Sequence, residues 1–232
     1  MKRRYKGFGS MGLKHERGRD SHARAPHVHQ LDSRLRTGYS PVVPIEPVLR
    51  SPLAVQRYLR AFPYNREPKG ATLRSAKATL EAGVAHCFEA ALVAASILEP
   101  HGYVPQLLSL DSVDDLDHVL FVFRASTGWG SIGRSRDDGL HGRAPKFRSV
   151  RDLAWSYFDP YVDKTGRLRG YKLFHLDDSG IDWRAGRKNL WALDEYRMSL
   201  KHTPMVSSQK RYETLHARYT AKGALPRQAG WW

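Results

Sequence analysis

The stretch Gly83–Leu98 carries the only cysteine of this chain, and it constrains the fold more than any other. A glycine opens it, Cys87 follows four residues on, and an Ala/Leu/Val/Ile run leads to Glu99-Pro100. Alanine and leucine favour helix, and proline marks where a helix must stop, so the pattern predicts a buried helix from about His86 or Cys87 to Leu98. Cys87 then falls in the first turn, where unpaired N–H groups and the helix dipole favour a negative charge. A thiol so placed should titrate low and supply thiolate, and the same N–H groups suit a developing oxyanion. A lone cysteine is also a good small core hydrophobe, so the rest of the chain has to decide between the two.

Upstream, Ser51-Pro52 has the form of a serine N-cap with proline at the first helical position, and Leu53, Val55, Tyr58, Leu59 and Phe62 supply an apolar face. A second helix is expected from Leu73 to Glu81, ending at Ala82-Gly83. Downstream, residues 103–110 and 118–124 read as strands, separated by the acidic loop 111–117 and followed by a turn at 125–128. A third strand is expected over 129–135. If Arg124 faces Trp129 across the turn, partners sum to 253 and His118 lies opposite Ser135. Residues 139–147 read as loop, 148–158 as a helix and 171–176 as a further strand. Helices are expected near 188–201 and 208–221.

These elements bring together a cysteine at a helix start, a histidine at a strand start and a polar or acidic residue at the end of the next strand. That is the logic of a thiol nucleophile, its general base and the group that orients the base. The chain here resembles the transglutaminase-like superfamily of papain-like cysteine enzymes, in its bacterial form. The matching stretches are Gly-Val-Ala-His-Cys-Phe-Glu-Ala, Leu-Asp-His-Val-Leu-Phe-Val-Phe and Trp-Gly-Ser-Ile-Gly-Arg-Ser-Arg-Asp, with Phe62-Pro63-Tyr64-Asn65 upstream. The resemblance covers roughly 50–170. It implies an α+β fold with a papain-like core, in which the nucleophile-bearing helix packs on a small antiparallel sheet. It also implies acyl transfer from an amide or ester through a thioester, as an amidase, peptidase or transferase. Cys87 is then the nucleophile and His118 the base. The third position departs from the family pattern, because the usual spacing from the tryptophan falls on Gly133. Asp137 is the expected orienter, Ser135 the alternative, and Asp138 and His141 weaker choices. Tyr64, Asn65 and Trp129 are candidates for the oxyanion site or cleft wall. Glu89 reads as structural, paired with an arginine.

Charge divides the chain. Residues 1–40 carry ten Lys/Arg against three Asp/Glu, as do residues 183–232, while 41–182 is close to neutral. The expected organisation is a basic, disordered extension over 1–40, the transglutaminase-like domain over 41–182 and a basic helical extension over 183–232. Basic ends suit weak electrostatic binding to nucleic acid, a second functional reading beside the enzyme. A third is a catalytically silent domain that binds a protein or peptide in the same cleft. The expected substrate is a peptide, protein or small amide. His15, His22, His27 and His29 have no regular ligand spacing, so neither metal nor cofactor is expected. No apolar run reaches a membrane span, and the basic start leads into no apolar segment, so a cytoplasmic protein without membrane attachment is expected.

Overall fold

The computed structural model describes residues 49–226. The segment 1–40 with its four histidines, the proline-rich entry to the domain and the last six residues lie outside the described residues. The fold is mixed α+β, built on a six-stranded antiparallel sheet in the order β4-β3-β2-β1-β5-β6.

Three helices lead to the sheet. α1 (Pro52–Ala61) starts as expected, with the Ser51 hydroxyl accepting from Ala54 N–H at 3.3 Å. α2 (Ala76–Ala82) starts three residues later than the pattern predicts, because the Leu73 backbone is committed elsewhere. Its N–H donates to Asn189 Oδ1 at 3.0 Å, and its carbonyl accepts from Leu190 N–H at 2.7 Å. Gly83 then ends α2 at φ +65°, a left-handed conformation that glycine adopts without strain. α3 (Cys87–Leu98) follows, buried from Phe88 onward.

The strands are β1 (Gln106–Ser112), β2 (His118–Ala125), β3 (Gly128–Ile132), β4 (Arg143–Phe147), β5 (Leu168–His175) and β6 (Thr203–Pro204). β2 and β3 pair in the expected register, Arg124 opposite Trp129 and Phe121 opposite Ile132. β2 is covered on both faces, which is why its sequence is continuously apolar. Val119, Phe121 and Phe123 join the core with α1 and α3. Leu120 and Val122 join a second core with Leu153, Tyr157 and Phe158, from α4 (Val150–Trp155), α5 (Phe158–Tyr161) and the turn between them. Side-chain alternation along the strand makes the split.

Two expectations over 139–158 need correction. Residues 143–147 form an edge strand rather than loop, despite Pro145, because an edge position tolerates a missing donor. The helix expected over 148–158 is two short helices, α4 and α5.

The C-terminal segment is not a separate extension. Trp183 is fully buried, and Leu190 and Leu193 share its core. The carbonyls of Trp183 and Arg184 accept from Ala76 N–H at 3.0 Å and Lys77 N–H at 2.9 Å, satisfying donors that α2 cannot pair internally. α6 (Trp191–Ser199) then inserts Arg197, held by Asp117 and Asp194 at 2.8 Å each. α7 (Gln209–Lys222) buries no whole residue and lies on the second core through Leu215. No helix among the described residues is long and apolar enough to cross a membrane.

Trp183→Ala should therefore cost about 3–5 kcal/mol in denaturant unfolding, the range for deleting a large buried aromatic. Val206→Ala, at a residue 83% exposed, should stay within about 0.5 kcal/mol of the parent.

Candidate active site

Cys87 is the first residue of α3 and is partly exposed. The helix start is fixed by a capping box of unusual composition. His86 Nδ1 accepts from Phe88 N–H at 3.2 Å, and Glu89 Oε2 accepts from His86 N–H at 3.2 Å. Glu89 is wholly buried, and its charge is met by the Arg74 guanidinium at 3.1 Å. Arg74 N–H, the Thr72 hydroxyl and the Asn65 amide add hydrogen bonds at 3.1, 3.0 and 3.2 Å. These contacts satisfy the carboxylate and hold the turn that presents the cysteine. Among the described residues the Cys87 N–H has no partner, so one helix-start donor stays open beside the sulfur.

His118, the first residue of β2, is 3% exposed. Its Nε2 lies 2.8 Å from the carbonyl oxygen of Leu140, so the nitrogen left for the thiol is Nδ1. Burial pushes the Cys87 thiol up, but hydrogen bonding with His118 and with His86, and the charge of both, outweigh it, bringing the pKa from an ordinary 9.0 to about 5. Both nitrogens of His86 are engaged, Nδ1 by Phe88 and Nε2 with the Thr72 carbonyl at 2.9 Å. Both histidines thus bear directly on the thiol, whose sulfur lies 3.9 Å from the Asp117 carbonyl oxygen. Burial favours neutral His86, and so does the cap, which needs Nδ1 as acceptor. The thiolate, Glu89 and the Thr72 carbonyl pull the other way and hold its pKa up at about 9.

The orienting group differs from the one expected. Asp137 is not the partner of His118 Nε2; that place is taken by Leu140 O. The Asp137 carboxylate meets Arg136 at 3.3 Å, and its N–H donates to Ser135 Oγ at 3.3 Å. Ser135 is buried but spends its hydroxyl on that turn and does not hold the histidine. Gly133, at the family's usual aspartate spacing, has no room for a side chain, since a Cβ there would meet Leu120 Cδ2 at 2.3 Å. Gln56 also binds both the N–H and the carbonyl of Gly133, at 2.9 and 3.0 Å.

Cys87 and Tyr64 line two adjoining depressions. The larger, about 610 Å³, lies toward His86, Asp117, Arg136 and Trp191. The smaller, about 110 Å³, lies toward His118, Asp137, Leu140 and Tyr219. Burial and the Cys87 charge raise the Tyr64 pKa far above its ordinary value, so its hydroxyl stays protonated and can donate. Asn65 also lines the larger depression, but its amide protons are spent on Glu89 and Thr72. Trp129 is not part of the cleft: it sits opposite Arg124, about 20 Å along β2 from His118. Trp191 supplies the aromatic wall instead. No group of three or more metal-ligating side chains occurs among the described residues.

Sequence reasoning missed His86 and the carbonyl of Leu140. The spacing His86-x-x-Glu89 matches a capping box but puts histidine where serine or threonine is usual. A backbone acceptor leaves no residue-type signature at all. Searches against family models and curated proteins return no match for this chain.

Glu89→Ala should cost about 3–5 kcal/mol in denaturant unfolding, because it strands Arg74 and opens the helix start. Lys77→Ala, which loses only an exposed pair with Glu81, should be near neutral.

Proposed function

We propose that this protein is a cysteine-dependent acyl hydrolase or acyltransferase that attacks an amide or ester through a thioester on Cys87, in a core of papain-like or transglutaminase-like type. The observation that carries the proposal is a thiol at a helix start and a buried strand histidine lining one depression. The nucleophile-bearing helix packed on an antiparallel sheet is the arrangement that the sequence resemblance implies.

In this scheme the Cys87 thiolate adds to the substrate carbonyl. Negative charge moves onto the carbonyl oxygen, within reach of the Cys87 N–H and, from the cleft wall, the Tyr64 hydroxyl. His118, protonated as the thiolate forms, gives that proton to the leaving amine or alcohol as the C–N or C–O bond breaks. The thioester remains. A water or amine then enters, His118 takes its proton, and collapse of the second adduct releases product and restores the thiolate. The Leu140 carbonyl fixes the histidine tautomer. It stabilises the imidazolium less than a carboxylate would, since neutral acceptors make weaker bonds to cations. That predicts a slower base than an aspartate-backed one.

Incubation with p-nitrophenyl acetate, followed by intact-mass measurement, tests the scheme. An acetyl adduct should form on the wild-type protein, be absent in Cys87→Ala, and turn over or pass to an added amine. A wild-type chain that gains no adduct while still binding peptides in the cleft would favour the silent-domain reading. The acylation rate should fall as pH drops through about 5, because protonation of a thiol whose pKa is depressed removes the nucleophile. Asp137→Asn should change the rate only slightly, since its carboxylate makes no bond to His118. A loss of about a hundredfold or more would restore it as the orienter.

A further inference from the structure

The carbonyl that holds His118 sits in a 3-10 turn, Asp138–Leu140, between β3 and β4. Such a turn is a weak anchor unless something fixes its peptide planes. Arg143, the first residue of β4, is fully buried directly beneath it. One terminal nitrogen, Nη1, donates to His141 O at 2.7 Å, and the other, Nη2, donates to Gly139 O at 2.7 Å. The two carbonyls that flank Leu140 are thus gripped by a single planar fork, and the Leu140 carbonyl is left pointing at His118. The guanidinium lies over the Tyr157 ring, 3.9 Å from its centroid, and the Tyr157 hydroxyl donates to His141 O at 3.0 Å. Tyr157 also packs edge-on against His118, with ring centroids 5.9 Å apart.

We propose that Arg143 is a positioning residue for the reaction: its fork sets the Leu140 carbonyl on His118 Nε2 and so takes over the task that a side-chain carboxylate performs in a Cys-His-Asp triad. The inference rests on the Cys87–His118 reading above and adds to it the origin of the base's orientation. A buried guanidinium is costly to desolvate, and apolar side chains of similar volume usually serve stability as well. Its two short bonds to the carbonyls on either side of Leu140 fit a geometric duty. The fork suits that duty because its donors are fixed in one plane, whereas an ammonium is a point charge.

The titratable groups around His118 are Cys87 from α3, Tyr157 from the turn after α4 and His141 from the loop itself, and Tyr64, Asp117, Arg136, Asp137, Tyr161, Asp163 and Tyr219 line the small depression beside it. His86 bears on the thiol from the other side. His141 is held neutral: burial, then the charges of Arg60 and Arg134, push its pKa down to about 4. Arg143→Lys keeps the positive charge, so the fields on these groups stay close to native while the fork is lost.

The test is the pH dependence of iodoacetamide alkylation, read at the single cysteine of the full chain, with thermal melting to confirm that each variant is folded. Wild type should show a low midpoint, and His118→Ala a midpoint raised by at least about one unit, a roughly tenfold loss of rate on the acid side. Folded Arg143→Lys should rise nearly as far, and the double variant should rise no further than His118→Ala alone. A folded Arg143→Lys protein with the wild-type profile overturns the inference and leaves the dyad standing. Coincident profiles for wild type and His118→Ala overturn the dyad itself, and the role of Arg143 with it. If Arg143→Lys does not fold, proton exchange in the wild-type protein decides. Divided by the intrinsic rate of each group, exchange of the His118 Nε2 proton and the Arg143 Nη protons should show one common, large protection factor, as parts of one clamped loop. A much smaller protection factor at His118 than at Arg143 would overturn the inference.

Discussion

The buried carboxylate of Glu89 is the interaction on which the rest depends. It lies in the first turn of α3 and collects the backbone N–H of His86 and of Arg74, the Arg74 guanidinium, the Thr72 hydroxyl and the Asn65 amide. A buried charge with so many partners is tolerable only if all stay in place. The network therefore fixes the 65–74 loop against the helix start. Cys87 owes its position to that requirement, and so does the unpaired N–H beside its sulfur. The one buried carboxylate beside Cys87 thus frames the helix start and makes no contact with His118.

His118 is framed from the other side. β2 brings His118 to the sheet end with both faces of the strand buried, so the ring has little freedom. Its outer nitrogen is met by a backbone carbonyl whose turn is held by the Arg143 fork. Three nearby positions supply no side chain to that nitrogen. Gly133 cannot carry a carboxylate because Leu120 fills the space. Ser135 and Asp137 are occupied in the following turn, and that turn delivers a carbonyl in their place.

Much of this was legible in the chain. The helix over 87–98, the apolar β2 and its register with β3 follow from helix propensity, strand pattern and the length of the turn, all of them local. The placement of Cys87 and His118 at element starts was readable for the same reason. What was hidden depends on contacts between distant segments. Charge alone separated residues 183–232 from the domain, yet Trp183 supplies backbone acceptors to α2 and fills its core. Pro145 and Gly142 disguised β4, whose edge position tolerates both. Asp137 looked right by charge and spacing, but no pattern of residue types announces that a carbonyl at Leu140 reaches the histidine first.

On this reading Cys87 stands as a thiolate near neutral pH, held by the helix start and by its two histidine neighbours. Thiolate absorbance near 240 nm, followed across pH in the full-length protein with Cys87→Ala as the blank, measures this directly, because the chain has a single cysteine. The account predicts one step centred near pH 5. A step near the ordinary cysteine value of 9.0 would contradict it, and Cys87 would then be a core residue that happens to begin a helix.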